Sequence, residues 1–106
     1  MSRALRRFEI LLPLKFNDGS GVPGELTAKT ILELREKFGA VSCETQTIQG
    51  VWQHAGQEYR DELVRLFIDI ADLPEHRQFF TEYKEVLKAR FQQIDIWMVT
   101  YSLDVI

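Results

Sequence analysis

EYRDELVRLFIDI, residues 58–70, decides the fold. Val64, Leu66, Ile68 and Ile70 give one wholly aliphatic side. Leu63, Arg65, Phe67 and Asp69 give a mixed one. A period of two belongs to a β-strand, with one face in a core. At about a dozen residues the strand is well beyond the usual length.

Upstream, Ala55-Gly56 marks a turn over residues 54–57, and residues 40–53 alternate again. Val41, Cys43, Thr45 and Thr47 oppose Ser42, Glu44, Gln46 and Ile48. Gly50 predicts a bulge there. Cys43 is expected to be a small core residue. The two long strands form a hairpin whose end, VWQHAGQEYR (residues 51–60), projects as an arm.

A helix is expected over 25–38, with Thr27, Ile31, Leu34 and Phe38 on one side. Pro23 suits its start and Gly39 its exit. Before it, NDGSGVPG (17–24) is a loop. It lacks the Lys-Ser/Thr ending of a phosphate loop and the spacing of a dinucleotide fingerprint. FEILLPLKF (8–16) reads as a strand with Phe8, Ile10, Leu12, Leu14 and Phe16 inward, and with a bulge or shortened ladder at Pro13. Downstream, Asp72-x-x-Glu75 resembles a capping box, with Pro74 in the first turn. Phe80, Tyr83, Leu87 and Phe91 form the helix stripe, which ends near Gln92 or Gln93. Ile94–Leu103 is the last strand.

The order strand, helix, strand, strand, helix, strand gives two right-handed crossovers around a hairpin. The expected fold is α+β, a ferredoxin-like split βαβ (βαββαβ). It has a four-stranded antiparallel sheet in the order 4-1-3-2, both helices on one face, and a long β2–β3 hairpin arm. The 106 residues suit one domain, over 8–106, after a flexible basic N-terminus at 1–7.

FNDG (16–19), ELREKFGAVSCETQ (33–46), GVWQHAGQEYRDELVR (50–65) and LKARFQQIDIW (87–97) resemble a family of small uncharacterised bacterial proteins. The resemblance implies a ferredoxin-like domain. It implies no activity, cofactor or catalytic residue.

The net charge of −3 argues against nucleic acid, despite Arg3, Arg6 and Arg7. Only Phe67 is well placed to stack a base, and no basic RNA-binding run is present. No apolar stretch is long enough to span a bilayer. The arginines of the first seven residues suggest a targeting segment, but Glu9 and Pro13 break the next apolar run. The single cysteine fits a reducing compartment, so a cytoplasmic protein is expected.

Covered by helices on one face only, the sheet leaves Leu11, Pro13, Leu63, Phe67, Trp97, Val99 and Tyr101 on the other. So much apolar surface predicts a homodimer through that face. Leu11, Trp52, Leu63, Phe67, Trp97 and Tyr101 are its interface candidates, with Trp52 and Tyr59 anchoring the arm. Such a dimer serves a structural, interaction or sensory role. The alternative is a small-molecule enzyme or binding protein of the dimeric α+β barrel type. Its site would lie near His54, Tyr59, Arg60 and Asp61, an imidazole beside an anion clamp. Against this stands a plain polar hairpin tip. His54, His76 and Cys43 have no metal-ligand spacing, and no cofactor is expected. Cys43 as a nucleophile would need an oriented base nearby, and on an apolar strand face it reads as a small core residue instead.

Overall fold

The computed structural model describes residues 4–106. Its elements are β1 (Leu5–Pro13), α1 (Gly24–Phe38), β2 (Ser42–His54), β3 (Gln57–Ala71), α2 (Pro74–Arg90) and β4 (Met98–Leu103). The four strands form one antiparallel sheet in the order β2-β3-β1-β4. This is the expected ferredoxin-like arrangement, with the two most aliphatic strands central.

The core follows from the alternation. Phe8, Ile10 and Leu12 of β1 lie opposite Ile68, Leu66 and Val64 of β3, and all six are buried. Leu34 of α1 and Phe80, Tyr83 and Leu87 of α2 close over them. Phe80 stacks on Phe8 with ring centroids 4.2 Å apart. Thr30, also buried, bonds the Leu26 carbonyl with its hydroxyl, so its polar atom is satisfied inside the helix layer.

The ends of the elements depart from the sequence pattern. β1 begins at Leu5, three residues before the expected boundary at Phe8. Residues 5–7 are therefore strand, because their charges find partners across the ladder. Arg6 reaches Asp72 at 3.0 Å, and Arg7 grips Asp69 at 2.7 and 2.9 Å. The expected flexible segment otherwise falls on residues 1–3, outside the described residues. Pro13 ends β1 opposite Leu63, where its missing N–H is harmless.

Asp72 does not cap α2. The residue before the helix is Leu73, no side chain caps it, and the Asp72 carboxylate takes the Arg6 guanidinium instead. The expected bulge at Gly50 lies earlier. Thr45, Gln46 and Thr47 together oppose Val64, while Gly50 pairs regularly with Asp61. Two extra residues leave the facing of β2 unchanged, since side chains alternate with a period of two. Cys43 is exposed, not core, because β2 is the sheet's edge and has no buried residue. β4 starts at Met98 instead of Ile94.

Beyond the Pro13–Leu63 pair no third strand joins β2 and β3; the Leu14 N–H still bonds the Glu62 carbonyl at 2.9 Å, and from Gly50–Asp61 to His54–Gln57 the two strands have only each other as partner. This is the projecting arm, and the molecule is elongated at 49 × 29 × 25 Å. Its turn has both central residues at positive φ, Ala55 at 53° and Gly56 at 78°. That is the primed turn whose twist matches a two-residue hairpin.

Candidate functional site

The open face of the sheet divides into two chemically different halves. Around β1 and β4 it is polar. Arg65 contacts Glu9 at 3.2 Å and Glu44 at 3.3 Å. The Tyr101 hydroxyl donates to Glu9 at 2.5 Å, which raises the phenol above its ordinary pKa. The Arg7 and Arg65 guanidiniums lie 4.4 and 5.1 Å from the centroid of Phe67. Phe67 is thus roofed by cations. The hydrogen bond to Asp69 also lifts Arg7 above the usual arginine value. Alternation alone showed apolar Phe67, Val99 and Tyr101 there; the ion pairs between them depend on register.

The other half is apolar and concave. Where the arm leaves the body, a cleft of about 480 Å3 opens on the same face. Leu11, Pro13 and Leu63 contribute its sheet wall. Trp52 lines it from the arm, and Ile94 and Trp97 line it from the α2–β4 connection. Trp97 is 64 % exposed, large for an aromatic with no ring partner among the described residues. Its carbonyl accepts the Leu11 N–H at 3.0 Å, which fixes the connection against β1.

Trp52 is held from two directions. It lies directly opposite Tyr59, and the two rings stack with centroids 4.4 Å apart and planes 17° from parallel. Its indole N–H donates to Asp61 Oδ2 at 2.5 Å. Asp61 is the diagonal cross-strand neighbour, opposite Gly50. Gly50 keeps this corner close-packed: a Cβ there would come within 3.3 Å of Leu63 Cδ1, and the leucine would have to give by a few tenths of an ångström.

The four candidate residues separate. Asp61 and His54 line the cleft. Tyr59 backs Trp52 from outside the lining. Arg60 is one residue out of phase, points to the opposite side of the arm and pairs with Glu58 at 3.3 Å. It cannot clamp an anion beside Tyr59 and Asp61. The period of two already carried that signal. Sequence reasoning missed Gln53, Gln93 and Asp95, which also line the cleft. Gln93 was expected at the end of the second helix and Asp95 in the last strand, on the side of Trp97; both sit in the irregular α2–β4 connection.

A second groove, about 420 Å3, runs between α2 and β4 and is edged by Arg77, Lys84 and Lys88. Lys84 is paired with Asp95 at 3.1 Å and Lys88 with Glu85 at 3.1 Å. Among the described residues no group of three or more His, Cys, Asp or Glu could hold a metal ion. No helix among them is long and apolar enough to cross a membrane.

The chain is similar in fold to a phage SAM lyase. The lyase in complex with S-methyl-5'-thioadenosine superimposes with a TM-score of 0.69 at 17% identity, over 99% of this chain and 93% of that one. Its apo state gives 0.58 at 19% identity, over 99% and 95%. GlnK of B. subtilis bound to ATP gives 0.58 at 17% identity, over 97% and 84%. At these identities the likeness concerns the fold alone. No family model matches the chain, and no curated protein does.

Proposed function

We propose that the protein binds a small molecule carrying a flat heterocycle, of the nucleoside class, in the cleft beneath its arm. The observation that carries this reading is the Trp52–Asp61 hydrogen bond. It fixes an indole and a carboxylate side by side at a cleft whose remaining surface is largely aliphatic and aromatic. A concave apolar pocket of a few hundred Å3 with a few convergent polar groups is the usual form of a small-molecule site. Trp52 and Trp97 supply aromatic surface for a ring, and Asp61, Gln93 and His54 supply its edge contacts. Support also comes from the two similar folds, bound to S-methyl-5'-thioadenosine and to ATP, since both ligands contain adenosine.

The test is calorimetric titration with S-methyl-5'-thioadenosine. Binding that Trp52→Ala weakens about five-fold or more, the effect of losing one stacking partner, supports the reading. Val86→Ala, an exposed position on α2, is the control. No binding at millimolar ligand contradicts it.

A homodimer is the second reading, and it concerns assembly. Six consecutive strand pairs of the arm have no third strand, and an isolated two-stranded hairpin is only marginally stable in water. Trp97, 64 % exposed, lies beside its base. A second copy laid on the open face covers it and walls the cleft. Sedimentation across the micromolar range tests this, and a monomer throughout contradicts it.

A further inference from the structure

We propose that the cleft selects its ligand by charge, taking a cationic nucleoside, one with a sulfonium or ammonium group beside the heterocycle, in preference to a neutral or phosphorylated one. The inference rests on the cleft being a ligand site and names the class of molecule it takes.

The lining contains no lysine or arginine, and its charged side chains are Asp61 and Asp95. These two carboxylates differ. Asp95 is already engaged, with Lys84 at 3.1 Å and with the N–H of Ile96 at 2.9 Å. Asp61 has the neutral indole N–H of Trp52 on one oxygen. Arg60 of the arm and Lys15 after β1 are paired elsewhere, with Glu58 at 3.3 Å and with Glu62 at 3.9 Å. The half-buried Asp61 therefore keeps a negative charge at the cleft with no cation on it among the described residues.

A phosphate needs the opposite surroundings. Proteins hold one with Arg or Lys side chains, a helix N-terminus, or successive backbone N–H groups of a glycine-rich turn. The cleft has none of these. Its walls are three strands and the α2–β4 connection, and its single glycine, Gly50, sits inside a regular ladder. An anionic ligand would meet Asp61 without compensation, which is discrimination by repulsion. A cation gains twice, from the carboxylate and from the electron-rich faces of the tryptophans.

The decisive probes are S-methyl-5'-thioadenosine and its S-methylated sulfonium, which differ by one methyl group and one unit of charge, together with ATP. Quenching of tryptophan emission reads the cleft itself, because the chain's two tryptophans both line it. That readout ignores any anion held in the cationic groove by α2. The expected result is that the sulfonium binds at least about three-fold tighter than the thioether, the scale of one exposed charge contact. ATP should not compete. Asp61→Asn, which keeps an acceptor for the indole N–H, should bring the two nucleosides within about two-fold of each other. Equal binding of sulfonium and thioether by the wild type overturns the inference and leaves the nucleoside site standing, as does competition by ATP. A preference that survives Asp61→Asn overturns it too. Failure of all three to bind overturns both.

Discussion

Trp52 and Asp61 stand on different strands of the arm, two positions apart in the ladder, and the indole N–H of one donates to the carboxylate of the other at 2.5 Å. The bond ties the aromatic stack of the arm to the polar edge of the cleft. Asp61→Ala should leave the indole N–H without its acceptor and lower stability by about 1 kcal/mol. Asp61→Asn should lower it by less. Urea midpoints of the three proteins give the comparison.

The turn at the end of the arm is suboptimal. Ala55 sits at φ 53°, in the left-handed region that residues with a Cβ avoid. Ala55→Asn gives the Asn-Gly pair preferred for this turn and should raise stability by a few tenths to about 1 kcal/mol. Slower hydrogen exchange of arm amides from Val51 to Arg60 would show that the gain is local.

Burial separates two residues that face each other across the β2–β3 ladder. Leu66 is fully buried and Cys43, its partner, is exposed. Leu66→Ala should destabilise the fold by about 2–5 kcal/mol. Cys43→Ser should change stability by less than about 0.5 kcal/mol.

On the far side of the molecule, Arg90 of α2 grips Glu33 of α1 at 2.7 and 3.0 Å, and the Tyr83 hydroxyl donates to the same carboxylate at 2.7 Å. The guanidinium, and then the phenol, holds the Glu33 carboxyl below the ordinary glutamate range. A depressed carboxyl contributes stability that is complete above its unfolded value and is lost as pH falls through the folded one. Acid titration should therefore weaken the wild type more steeply than Glu33→Gln just below the usual glutamate range. At neutral pH the variant should be the less stable.

The strand order, the helix layer and the arm were legible in the alternation of residues 58–70 and in the two-residue turn after His54. Period and turn length act locally, and they fix which side chains share a face. The pairing of charges was not legible. Asp72 carries every sequence mark of a cap, yet Arg6 claims it from 66 residues away. Arg65 likewise lies between Glu9 and Glu44, which approach only once three strands are in register. The site shows the same division. Trp52, Tyr59 and Asp61 share a face by alternation and register, and alternation also put Trp97 on the side of Leu11 and Leu63, whereas Gln93 reaches the cleft through the irregular connection after α2 that no period describes.

The most direct test of the ligand site uses the two indole N–H resonances of the folded protein, because the chain has only Trp52 and Trp97 and both line the cleft. Titration with S-methyl-5'-thioadenosine in a 15N-labelled sample should shift both resonances with one common saturation curve. Backbone amides of Leu11, Gly50 and Leu63 should shift with them, while those of α1 stay still. Saturable shifts confined to α2 and β4, with both indoles unmoved, or no shifts at all, would contradict the account.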